Sequence, residues 1–187
     1  DAPYKTLGDF VAAAKNAKLK VSHNGVGTLW HLAAVTFAQA AQIEFQYVAY
    51  SGGGPPMLKA LAGGEVDLVI VNHAESKALI DAGRIRPIAV MSEGKHASLP
   101  EVPTCIEAGI KVTYPIWRGV FTTKGVPEPI LDIIEKAVQS GMEGEEFNTL
   151  VKNAGLEKKF KGHKEFTKFF NEQIDITAAL MKGIGTK

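Results

Sequence analysis

With 187 residues, 45% of them apolar, the chain is long enough to bury a core, and a length in this range predicts one or two compact units. Its 21 Lys and Arg stand against 20 Asp and Glu for a net charge of +1, which excludes recruitment to nucleic acid or to an anionic membrane by bulk charge and favours small, locally recognised partners. No apolar run approaches the roughly 20 residues of a membrane helix, and no basic and apolar leader precedes Asp1, so the expectation is a soluble chain, either cytoplasmic or exported with its signal removed.

Thr6, with Asp9 three residues later, opens a helix over about residues 7–17, whose apolar positions are Leu7, Phe10, Val11 and Ala14. Lys20 to Ser22 reads as extended. From Thr28 the set Leu29, Leu32, Ala33, Val35, Phe37 and Ala40 has helical spacing, and Ile43 to Tyr50 alternates with β-branched and aromatic residues, as a strand does. After "SGGGPP" the run "MLKALAGG" makes a short helix ended by Gly63 and Gly64. Val66 to Asn72 is a near-continuous apolar strand of the kind covered on both faces, a helix follows over about 74–82 and stops at Gly83, and Ile85 to Ser92 is a further strand with Pro87 near its start. Strands alternating with helices through short glycine loops predict βαβ units and a doubly wound, mostly parallel α/β sheet, with the loops after the strands gathered on one side. Leu99 to Gly109 reads as a proline-stiffened loop with a helix of one or two turns. Lys111 to Thr123 is the longest extended stretch, interrupted at Pro115. Beyond Gly125 the character changes to helices: one from Pro127 to about Ser140, one over about 144–154, and a last one with Phe166, Phe169, Phe170, Ile174, Ala178 and Met181 on one face.

The residues that could carry chemistry cluster at two glycine turns. "HNGVGT" places Asn24, Gly25, Val26, Gly27 and Thr28 between a strand and a helix start, where backbone N–H groups and the helix dipole together attract an anion. The plainer alternative is an ordinary β-to-α turn that uses glycine for tightness. A phosphate-binding Walker loop needs Lys where Thr28 stands, and a dinucleotide fingerprint needs glycine where Trp30 stands, so nucleotide binding is disfavoured. "YSGGGPP" repeats the arrangement with Tyr50, Ser51, Gly52 and Gly53, and two such turns at the ends of neighbouring strands would line one crevice.

Other candidates have equally plain readings. Asp67, inside an apolar strand, must find donors, in a helix cap or in Arg84 or Arg86. Five dispersed histidines, without a ligand-pair spacing, predict no metal site, and His23 is read as a surface residue although it could contact a carboxylate. Cys105, alone among Ile106 and Ala108, reads as a buried small hydrophobe rather than a nucleophile. Trp117 and Arg118 could give a ligand an aromatic wall and a cation, or be a core tryptophan and a solvated arginine. No cofactor motif and no activated nucleophile is present.

Four segments, "GVGTLWHLAA", "YVAYSGGGPPMLKALAGGEVDLVIVN", "AGRIRPIAVMSEGKHASLPEVPTCIEAGI" and "WRGVFTTKGVPEPILDIIEKAV", together resemble the periplasmic solute receptors of tripartite tricarboxylate transporters (the Bug-type family) along nearly all of the chain. The resemblance implies a two-lobed clamshell of the type II periplasmic binding protein class, in which strand-to-helix turns hold a carboxylate of an organic acid. It assigns Asn24 to Thr28 to the second-lobe turn, with the Tyr50 to Gly54 turn, Asn72 and Trp117 as wall residues. It further implies residues 1–112 as the second lobe, 113–122 as a crossing strand or hinge, and 123–187 as C-terminal helices of a first lobe whose N-terminal part is absent. The expected role is capture of a di- or tricarboxylate and its delivery to membrane transporter subunits in the periplasm, without catalysis, cofactor, metal or nucleic acid. Self-association through the Phe166, Phe169, Phe170 face is a further expectation. The alternative is a doubly wound enzyme acting on a phosphorylated or carboxylated metabolite, for which His23 and Asp67 are the titratable groups near the turn.

Overall fold

The computed structural model describes residues 2–153, 156 and 158–184, which separate into two compact units: one runs to Pro115 and takes in the stretch from Leu180, and the other spans Ile116–Ala179.

The first unit begins with helix α1 (Leu7–Asn16). The Thr6 hydroxyl accepts from the Asp9 amide at 3.1 Å, while the Asp9 carboxylate accepts from the amides of Thr6 (2.9 Å) and Lys5 (3.1 Å), so donors left over at the helix start are satisfied reciprocally. Strand β1 (Leu19–His23) and helix α2 (Leu29–Ala41) follow. The helix ends at Gln42, the one non-glycine residue in the left-handed region among those described. Then come β2 (Phe45–Ala49), α3 (Gly54–Ala62) with Pro55 and Pro56 in its first turn, β3 (Leu68–Val69) and α4 (His73–Asp81). The strands form a parallel sheet in the order β2-β1-β3, with Val21 opposite both Tyr47 and Leu68. The predicted α/β class and parallel sheet are therefore present, with β1 as the central strand.

Leu19 and Val21 face a core built with Leu7, Phe10 and Ala14 of α1, Ala34, Phe37 and Ala38 of α2, and Phe45, Cys105 and Val112. Phe37 stacks on Phe45 at 6.2 Å and Phe10 meets the same ring at 6.0 Å. Burial raises the Cys105 thiol to about 11, in keeping with an inert small hydrophobe. Asp67 departs from expectation: it pairs with neither arginine. Its carboxylate accepts from the Lys20 amide at 2.8 Å while its own amide donates to the Lys20 carbonyl at 2.9 Å, extending the β1–β3 pairing by one step.

Two predicted strands are not strands. Ile85–Ser92 contributes a single bridge, between Val90 and Thr104, and Lys111–Thr123 forms no ladder, so the stretch 113–122, expected as a crossing strand or hinge, is not a strand, and the division between the two units falls within it. The helix expected within Leu99–Gly109 is a series of turns closed by Cys105 N–H to the Val90 carbonyl (2.9 Å) and Ile110 N–H to the Cys105 carbonyl (2.8 Å).

The second unit contains α5 (Glu128–Glu143), α6 (Glu145–Asn153) and most of α7 (His163–Ile184). The helix expected over 144–154 is α6; Ala154 lies outside the described residues, as do 185–187 of the expected C-terminal segment. No residue of α5 or α6 is buried, and Ile130, Ile133 and Leu150 are exposed. Its densest packing is aromatic: Trp117 stands edge-on to Phe166, Phe169 and Phe170 at 5.7, 5.8 and 5.7 Å, and Phe121 meets Phe170 at 5.0 Å. Among the described residues no helix is long and apolar enough to cross a membrane.

Candidate functional site

Because β1, β2 and β3 are parallel, the turns that follow them emerge on the same edge of the sheet, and the Tyr50 amide donates to the His23 carbonyl at 2.8 Å where the first two diverge. The topology thus gathers Asn24–Thr28, Tyr50–Gly53 and Asn72 at the carboxyl ends of three adjacent strands, the usual ligand position in an open α/β sheet. Trp117 belongs to the other unit, where its ring is engaged with three phenylalanines.

In the first turn Gly25 has φ +131° and Gly27 φ +76°, conformations that side-chain-bearing residues rarely adopt, so these two glycines are required by the backbone path. Several of the turn's donors are used internally. The Gly25 amide donates to His23 Nδ1 at 3.1 Å, the Gly27 amide to His31 Nδ1 at 3.0 Å, and the Thr28 amide to the Gly25 carbonyl at 3.3 Å. The Thr28 hydroxyl lies 2.6 Å from both Asn24 Oδ1 and the Gly25 carbonyl, so it does not cap α2. This leaves the amide of Val26 in the turn, and those of Leu29, Trp30 and His31 in the first turn of α2, without acceptors among the described residues. The anion-attracting pole is therefore displaced from the glycines to the helix start, and the glycines shape the approach to it. Around it Val26 is 72% and Leu29 41% exposed, Trp30 and His31 are buried, and Met181 lies close to Gly27.

The second turn has Gly52 and Gly53 at φ +98° and +80°, Ser51 exposed, and the Tyr50 hydroxyl donating to Glu65 at 3.1 Å. Asn72 starts α4, its amide donating to the Glu75 carboxylate at 3.4 Å. That carboxylate lies so close to Gly54 that a Cβ there would come within 2.5 Å of Glu75 Oε1. An internal carboxylate thus already neighbours the amino end of α3, which makes the start of α2 the better place for an incoming one.

Sequence reasoning missed the two histidines that hold the turn. His23 is 3% exposed, not a surface residue, and His31 is 5% exposed. Strand parity carries the signal: Leu19, Val21 and His23 share a face, and the first two are core. Burial, and then the neighbouring His23, lower the proton affinity of His31.

Among the described residues one cluster has metal-like proximity: ligand atoms of Glu128, Asp132 and His163 in the second unit lie within 4.8 Å of one another. Its chemistry is that of an ion pair. His163 Nδ1 is 2.6 Å from Glu135 Oε2 and Nε2 is 3.0 Å from Glu128 Oε2, so carboxylates face both ring nitrogens. Hydrogen bonds to Glu135 and then Glu128 raise the proton affinity of His163. The arrangement ties α5 to the first residue of α7.

The family model for the tripartite tricarboxylate transporter family receptor matches residues 1–186. The UPF0065 protein of the tcbD–tcbE intergenic region of Pseudomonas sp. (strain P51) is 29% identical over 160 residues, 83% of this chain and 47% of that protein. A TctC solute binding protein from Polaromonas, solved without ligand, superimposes with a TM-score of 0.86 at 27% identity over 98% of this chain and 63% of its own. An R. palustris protein solved with adipate gives 0.81 at 26% identity, covering 98% and 62%. The chain thus spans about half to two-thirds of the length of these relatives.

Proposed function

This chain belongs to the tripartite tricarboxylate transporter receptor family, and we propose that it supplies the carboxylate-holding lobe of a periplasmic solute receptor that hands a small organic acid to membrane transporter subunits. The observation that carries this reading is the uncapped first turn of α2: three backbone donors and a helix dipole, at the edge where the turns after β1 and β2 meet. Preorganised amides favour an ionised carboxylate over a neutral group, while the residues beyond it select among acids. The adipate found in the R. palustris relative supports a dicarboxylate as the class of ligand. The reading is of binding without turnover: His23 and His31, the titratable groups that touch the first turn, are spent on its amides.

Thermal denaturation in the presence of adipate, malate, dimethyl adipate and ATP separates this reading from the enzyme alternative. Stabilisation by the free acids and not by the diester supports the receptor. Stabilisation by ATP alone, or equal stabilisation by acid and ester, overturns it.

A further inference from the structure

The strongest observation outside the amides themselves is what stands behind them. The rings of His23 on β1 and His31 on α2 lie 4.6 Å apart, tilted by 38°, both buried, and each turns Nδ1 toward a glycine amide of the same turn. A nitrogen that accepts from an N–H carries no proton, so both imidazoles are held as the neutral Nε2–H tautomer. His31 serves twice, because its own backbone amide is one of the three open donors at the helix start.

We propose that His23 and His31 are a paired positioning device for the carboxylate turn, which keeps its shape only while both Nδ1 atoms are unprotonated, and that acidification through the histidine range therefore releases the bound acid. This rests on the receptor reading for what the turn holds. Protonating Nδ1 sets N–H against N–H at about 3 Å, and a lost acceptor frees Gly25 or Gly27 to leave its present conformation. The neighbouring His23 ring, 4.6 Å away, adds to burial in lowering the proton affinity of His31. The third titratable group against the pair is Tyr47 of β2, with its ring 5.0 Å from His31 and 6.1 Å from His23. Burial pushes its phenol up, so it stays neutral throughout. A dicarboxylic acid keeps one carboxylate ionised down to about pH 5 and its own titration is the same for every variant, so a difference in pH profile between wild type and variant belongs to the protein.

Nitrogen NMR on the unliganded chain tests the device directly. The expected result is the Nε2–H tautomer at both rings, with the Gly25 and Gly27 amide signals moving with the same midpoint as the rings. An Nδ1–H tautomer at either ring, or glycine signals unmoved between pH 7 and 5, overturns the proposal. Calorimetry with adipate adds the functional arm. H31N, whose Oδ1 can accept without titrating, should show affinities at pH 7 and pH 5.5 that differ by less than about twofold, where the wild type declines at least fivefold, whereas H31F should bind at least tenfold more weakly than the wild type at pH 7. Wild-type affinity and pH profile in H31F would refute the pairing. Failure of the wild type to bind adipate at all counts against the receptor reading and leaves the tautomer and titration results to decide the histidine device.

Discussion

Replacing Gly25 by Ala should be unusually costly for a surface turn. At φ +131° a side-chain-bearing residue is outside every comfortable basin, which costs about 1–3 kcal/mol. The added Cβ would stand 3.2 Å from Thr28 Cγ2, and Thr28 is poorly free to yield because its hydroxyl is fixed at 2.6 Å by both Asn24 and the Gly25 carbonyl. Rotating it away forfeits at least one hydrogen bond, about 0.5–1.5 kcal/mol. The loss is therefore about 2–4 kcal/mol, or roughly 5–15 °C in melting temperature for a chain of this size. Gly64→Ala is the control: φ is +76° and nothing lies within 4 Å of its Cβ position, so only the left-handed strain of about 1–2 kcal/mol applies. Urea denaturation of both variants, followed by calorimetry with adipate, should find Gly25→Ala the less stable and the one that loses binding. Equal destabilisation of the two, or unchanged adipate affinity in Gly25→Ala, would refute the description of the turn as a strained, threonine-braced frame for the start of α2.

The ion pair of the second unit should leave a pH signature with two limbs. Glu135 is held below the ordinary glutamate range by the hydrogen bonds of His163, so its contribution fades as pH falls below about 4.5; His163 is raised, so its contribution is complete below about 6.5 and lost as pH climbs through its elevated value. Stability of wild type relative to Glu135→Gln should accordingly peak between those limits, and a difference that grows steadily to pH 9 would contradict the assignment. The Cys105 thiol, buried and raised to about 11, should resist a thiol reagent at pH 8 in the native chain and react only at the rate of unfolding, whereas fast labelling of the native chain would contradict its placement in the core.

Local punctuation was well written in the residues. Thr6 and Asp9 announce the start of α1, Gly63 and Gly64 the end of α3, and the alternation of Phe45 to Ala49 its strand. Sheet membership was not, because it depends on what lies alongside: Ile85 to Ser92 and Lys111 to Thr123 have strand-like composition yet find one bridge and no ladder respectively. At the candidate site the glycines mark a turn with positive φ, but the number of open amides could not be read from them, since imidazoles that are four residues away or two residues back consume two of the donors. The helical periodicity of α5 and α7 is equally plain, while what covers Ile130, Ile133 and Ile174 is a property of neighbours rather than of spacing.

The pairing of β1 with strands on both sides gives the site a particular vulnerability. His23 follows Leu19 and Val21 on one face, while Lys20 and Ser22 take the other. A slip of one position along the central strand would carry the imidazole about 3.4 Å and invert it, at the same stroke driving a lysine into the oily interior. A copy with that slip would lose its hydrophobic nucleus and the imidazole's hold on Gly25 together.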